Sequence, residues 1–152
     1  MPTPLLRVSV VMAVCALLAQ TASAETFTNV KLMVNTGEKA EEQDAVLRFE
    51  DDALVIYGKG RTALKRLPYA GITGAEYSYA KSPRWKSGIG LTIAFGVFAL
   101  PVFFMKGKKH WLTIAAEKDF AVLRLDKNNY KLILPAFEAR TGKRVESVAE
   151  EK

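Results

Sequence analysis

The sequence predicts a mainly β fold of the α+β kind. Short antiparallel strands form a meander, one amphipathic helix lies near the C-terminus, and an apolar insertion interrupts the strands. Three observations carry this. Runs rich in β-branched and aromatic residues are separated by clusters of Gly, Asn, Asp and Glu. Tyr130, Ile133, Leu134 and Phe137 recur at i, i+3, i+4 and i+7, the spacing of one helix face. The 18 residues of 88–105 carry no charge, inside a stretch (77–116) that holds no Asp or Glu.

Taken in order, Thr26 to Val34 alternates and reads as a first strand. Asn35 to Glu38 and the charged run Lys39–Asp44 read as a solvated loop. Val46, Leu47 and Phe49 lead through a turn at Glu50-Asp51-Asp52 to a strand over Leu54–Tyr57. Gly58-Lys59-Gly60 is a tight turn, because glycine reaches positive φ without a Cβ clash. Leu64–Leu67 is a short strand. Ile72–Tyr79 is another, with Tyr77 and Tyr79 on one face and Glu76 and Ser78 on the other. Beyond the insertion, Trp111–Ala115 and Phe120–Leu125 are strands around a turn at Glu117-Lys118-Asp119. Asp126 to Asn128 supply side-chain oxygens to cap the helix, Pro135 removes one of its hydrogen bonds, and Gly142 ends it. The charged tail from Lys143 to Lys152 is expected to fray.

Residues 1–24 have the parts of a secretory signal. Arg7 closes a short n-region, Val8–Leu18 is an apolar core, and Ala22-Ser23-Ala24 offers small residues for cleavage before Glu25. Eleven apolar-biased residues are short for a membrane span, which needs roughly 20. The expected localisation is therefore exported, in the periplasm or cell envelope. Removal of this segment takes away Cys15, the one cysteine of the chain, so thiol chemistry and disulfides are not expected in the mature protein. Residues 25–152 suit one domain with a single core.

Leu47-Arg48-Phe49-Glu50-Asp51-Asp52-Ala53-Leu54-Val55-Ile56, then Leu67-Pro68-Tyr69-Ala70-Gly71-Ile72, then Tyr130 to Gly142, resemble bacterial pleckstrin-homology-like (PH-like) domains of the GRAM type. The resemblance implies an antiparallel, partly open barrel with the C-terminal helix plugging one end, over roughly residues 44–145. It divides the chain into a leader (1–24), an N-terminal strand and loop (25–43), the domain itself (44–145, with an inserted apolar helix or hairpin at 86–107) and a charged tail (146–152). The basic K-x(n)-K/R-x-R element of phosphoinositide-binding relatives is unmet here, since Phe49 and Glu50 follow Arg48.

The insertion carries the strongest functional signal. Lys81, Arg84, Lys86, Lys106, Lys108 and Lys109 bracket the apolar run, and the net charge of the whole chain is +6. Cations at both ends of a greasy segment suit an anionic membrane surface. Phe95, Phe98, Phe103 and Phe104 would enter the apolar layer, with Trp85 and Trp111 at the interface. As one helix the run spans about 27 Å, marginally enough to cross. A single crossing would part the strands before it from those after it, so one shared barrel requires exit and return on the same side. Three readings stay open: a re-entrant or interfacial hairpin, a single-pass span over 88–105, and a buried core element or oligomer contact.

Catalytic chemistry is thinly signalled. His110, the single histidine, has Glu76 and Glu117 as its nearest acids in sequence, and neighbouring cations oppose its protonation. One His without Cys argues against zinc. Asp51-Asp52 reads as a solvated turn, Asp126-Lys127-Asn128-Asn129 as a cap rather than a calcium loop, and Tyr69, Tyr77 and Tyr79 as sheet residues. The expectation is a non-enzymatic module with no catalytic set, no metal and no cofactor. Its expected partners are membrane lipids, through anionic headgroups, and a protein at an open edge. A soluble module using the same basic patch on a polyanion, polysaccharide or nucleic acid, is the alternative. The apolar run counts against it, and against nucleic acid in particular.

Overall fold

The computed structural model describes residues 24–35, 40–83 and 106–148. Among these residues, eight strands and one α-helix follow in chain order: β1 (Glu25–Asn35), β2 (Ala40–Phe49), β3 (Ala53–Tyr57), β4 (Ala63–Pro68), β5 (Ile72–Ala80), β6 (Lys109–Ala116), β7 (Phe120–Leu125), α1 (Tyr130–Thr141) and β8 (Val145–Val148). They form one sheet in the order β4-β3-β2-β1-β7-β6-β5-β8, with β4 and β8 as unjoined edges. All pairings are antiparallel except the parallel β5–β8 pair. The sheet is thus a partly open barrel, with α1 lying against its interior.

Alternation decides which side chains enter the barrel. Val30 and Leu32 of β1, Leu47 and Phe49 of β2, Leu54 and Ile56 of β3, Leu112 and Ile114 of β6, and Leu123 of β7 share one buried cluster. Ile133 and Phe137 of α1 complete it, both fully buried. The expected stripe is therefore real, with Leu134 and Tyr130 packed at its margin. Gly142 ends the helix at φ 67°, its N–H bonded to the Glu138 carbonyl at 2.9 Å. Gly60 takes φ 79° in the turn after β3, as the tight turn there demands.

Four sequence expectations need correction. Residues 40–44 are strand, not loop. Their charges find partners across the sheet, with Glu42 and Asp44 pairing with Lys31 and Glu42 with Arg124. Through β1, which joins β2 to β7, the segment ahead of residue 44 is part of the domain's own sheet. The tail does not simply fray, because Val145–Val148 pairs with β5 and Val145 packs on the core. The Val145 N–H is held by the Glu138 carboxylate at 2.8 Å. The helix cap also differs. Asp126 accepts the Asn128 N–H at 2.8 Å, whereas the N-cap residue Asn129 spends its amide on the Thr28 carbonyl of β1.

The fourth correction concerns the single-pass alternative. β5 and β6, which flank the insertion, pair from Ile72↔Ala116 to Ala80↔Lys109. One crossing by 88–105 would place these two strands on opposite sides of a bilayer, which their hydrogen-bonded register forbids. The insertion itself, residues 84–105, lies outside the described residues, as does the leader up to residue 23. Among the described residues, no helix is long and apolar enough to cross a membrane.

Candidate functional site

Beside the two roots of the insertion the barrel wall opens into a cleft of about 690 Å³. A bulge in β1 makes room for it. The β1–β2 register shifts between Phe27 and Val30, and Asn29 takes a left-handed φ of 56° that asparagine tolerates better than most residues. The Asn129 amide pins this bulge through the Thr28 carbonyl. Among the described residues, β1 pairs with β7 only at Lys31↔Arg124 and Leu32↔Leu123, so the hydrogen-bonded ladder stops beyond that point. Tyr79, one residue before the end of β5, and Lys108, Lys109 and His110, which lead into β6, form one wall, with Asn29, Lys31 and Asp44 on another. Arg124, Asp126 and Lys127 close the site from the end of β7.

The charges lining the cleft are unequally committed. Arg124 donates to Glu42 at 2.7 Å, and Lys31 stands 3.4 Å from Asp44 and 3.7 Å from Glu42. Lys31 and then Lys59, 3.5 Å away, hold the Asp44 carboxyl below its ordinary range, so it stays ionised at neutral pH. Lys109 and Lys127 make no ion pair among the described residues. The lining holds five cationic side chains against two carboxylates, and the surplus lies on the side of β6 and the β7–α1 loop.

An aromatic stack backs this wall. The His110 ring lies 3.9 Å from Tyr130 at 13°, and 4.7 Å from Tyr79 at 30°. Tyr77 stacks on Tyr130 at 5.7 Å, and its hydroxyl lies 2.6 Å from His110 Nδ1. Burial first, then the neighbouring Tyr130 and Tyr79, push the Tyr77 hydroxyl up to about 12. It therefore keeps its proton at neutral pH, and the direction of its hydrogen bond with Nδ1 follows the His110 tautomer. Burial pushes His110 below its ordinary value of 6.5, while Asp126 pulls the other way. Sequence proximity pointed to flanking cations for this effect, but the cause is the aromatic enclosure. Tyr77 and Tyr79 are sheet residues as expected, and they also form part of this stack.

The sign of the His110 effect gives a prediction. Between the two pKa values the unfolded chain binds the proton and the folded chain does not, so stability rises with pH there. This contribution is complete above about 6.5 and is lost as pH falls through the lower folded value. His110→Gln should flatten the acid limb of the stability profile below pH 6.5, measured by denaturant unfolding at stepped pH. An acid limb identical in slope to wild type would contradict the assignment.

The residues expected at a membrane surface divide into three groups. Lys81, Lys106 and Lys108 are exposed at the roots of the insertion, and Lys109 is half-buried at the cleft. Trp111 is a correction. It is fully buried, its indole N–H donates to the Ala80 carbonyl at 3.0 Å, and it packs with Met33 and Val122. The alternation of β6 turns it to the face opposite the main core, where it serves packing and cannot touch headgroups. Arg84, Trp85, Lys86, Phe95, Phe98, Phe103 and Phe104 lie outside the described residues. Sequence reading missed Lys31, Arg124 and Lys127 as cleft residues. They come from separate segments, and no local motif joins them.

Solved structures align with this arrangement. The Spt16D–Pob3N heterodimer structure matches with a TM-score of 0.52 at 14% identity, over 86% of this chain and 57% of that one. The chain therefore spans a little over half the length of that match. The hSac2 domain from the human phosphoinositide phosphatase Sac2 aligns with a TM-score of 0.46 at 10% identity, over 100% of this chain and 93% of that domain. No protein-family model matches, and no curated protein matches either. At such identity the first likeness shows the fold alone, and that fold is PH-like.

Proposed function

We propose that this PH-like module is exported and non-catalytic, and that an apolar insertion between β5 and β6 holds it on a membrane. One observation carries the reading. Ala80 and Lys109 are paired neighbours, so both roots of a charge-free 18-residue run emerge side by side, with Lys81, Lys106 and Lys108 exposed around them. A loop leaving and re-entering at one place can dip into a bilayer while the barrel stays on one side. Burying half of such a run contributes on the order of several kcal/mol, at about 25 cal/mol per Å² of apolar area. Each flanking cation adds roughly 1 kcal/mol on an anionic surface at low salt. The leader at 1–24 and the bacterial, GRAM-type flavour of the 67–72 segment belong to the same reading. So does a protein partner at the unjoined β4 or β8 edge.

The test is fractionation of cells making the full chain or a variant with 88–105 replaced by a short Gly/Ser linker, which the adjacent roots can accept. Wild type should sediment with membranes, resist salt and leave only with detergent, while the variant should be soluble. A wild-type protein wholly soluble without detergent would overturn the proposal. The lysine surplus of the cleft favours one second reading, a soluble polyanion binder, and release of the wild type by salt alone would support that instead.

A further inference from the structure

The geometry points to a phosphate-binding site in the cleft beside the insertion roots. We infer that Lys109 and Lys127 contact a phosphate group there and that Tyr79 offers its ring to the body of the ligand. The membrane reading supplies only the expected source of that phosphate, a lipid headgroup. The site itself stands on the cleft.

Four features support it. The volume, about 690 Å³, lies within the range of small-molecule sites. Lys31 and Arg124 are neutralised by Glu42 and Asp44, so the unspent positive charge falls on Lys109 and Lys127, which leave the adjacent ends of β6 and β7 on one side of the cleft. Tyr79 is 50% exposed, one of two large apolar side chains so exposed among the described residues, and it lines the cleft with His110 behind it. An aromatic ring beside fixed cations suits a ligand with a flat or ring-shaped body and an anionic group. Finally, Lys109 belongs at once to the cleft and to a root of the insertion. A phosphate at the level where the insertion meets a headgroup layer would lie at the cleft mouth.

The experiment uses the isotope-labelled full chain in a non-ionic maltoside, titrated with inorganic phosphate and with glycerol 3-phosphate. In parallel, the chain is floated with phosphatidylcholine vesicles, with or without phosphatidic acid. The amide resonances of Lys109 and Lys127 and the ring resonances of His110 should move on titration. Lys109→Glu combined with Lys127→Glu should weaken phosphate binding at least about tenfold, and Lys118→Glu, in the β6–β7 turn, should not. Soluble phosphates binding as strongly as phosphatidic acid vesicles would mark a free phosphate ligand. Preference for the vesicles would mark a headgroup. Either result supports the site. Unmoved His110 and Lys109 resonances in wild type, or an equal loss in Lys118→Glu, would overturn it. Should the double variant misfold, Lys109→Gln and Lys127→Gln carry the comparison. Failure to float with any vesicle sinks the membrane reading alone, since the titration in maltoside still reports on the cleft.

Discussion

Replacing Trp111 with alanine should cost the folded protein about 3–5 kcal/mol, the range for deleting a large buried aromatic. The side chain is completely buried in β6, next to Met33 and Val122 on the face of the sheet away from the main core. Its N–H satisfies the Ala80 carbonyl at the very end of β5, so the substitution leaves both a cavity and a lost hydrogen bond. Those losses fall where β5 and β6 meet the insertion. The check is denaturant unfolding of the two proteins, with a lower midpoint and an unchanged slope as the expected result. Trp111→Phe should recover most of the packing and lose the hydrogen bond. If Trp111 were an interfacial anchor, Trp111→Ala would leave stability near wild type and weaken membrane partitioning instead.

The second large effect belongs to Phe137. It is fully buried on α1 and joins Ile133 inside the barrel, in the same cluster as Leu47, Phe49, Leu54 and Ile114. Phe137→Ala should also cost about 3–5 kcal/mol, because barrel strands cannot collapse into the vacated volume without breaking their ladders. Leu132, on the same helix but 62% exposed, is the control, and Leu132→Ala should stay within about 0.5 kcal/mol of wild type. Equal losses at the two positions would mean that α1 does not plug the barrel as described.

The strands that sequence reading found are those whose pattern is local. Leu54–Tyr57 and Ile72–Tyr79 are bounded by glycine or acidic turns and carry alternating or wholly apolar faces, and α1 announces itself by its stripe and by Gly142. The first half of β2 was hidden because Glu41, Glu42, Gln43 and Asp44 look like a solvated loop. Only Lys31 and Arg124, brought in by neighbouring strands, make that stretch favourable as strand. β8 was hidden for a similar reason, since four residues become a strand only through pairing with β5. Trp111 misled because a Trp beside lysines has the composition of a membrane anchor. Its burial follows from β-sheet parity, which places it on the face opposite Leu112.

The cleft was the least legible part. Its lysines are spread over β1, β6 and the β7–α1 loop, and its aromatic wall joins Tyr79 and His110 of adjacent strands to Tyr130 of the helix. None of those spacings forms a motif. What sequence did place was the neighbourhood, since Lys108 and Lys109 were assigned to the anionic surface from their position beside the apolar run. The structure adds that this neighbourhood is concave and that its charges are unequally spent.

The claim on which the rest depends is that 88–105 departs from and returns to one side of a bilayer. It is tested most directly with two single-cysteine variants, Lys81→Cys and Lys106→Cys, made in a Cys15→Ser background. Both positions are exposed at the roots. In sealed membrane vesicles carrying the protein, an impermeant maleimide should label both positions from the same side and neither from the other. Labelling of the two cysteines from opposite sides, or recovery of both proteins in the soluble fraction, would contradict the account.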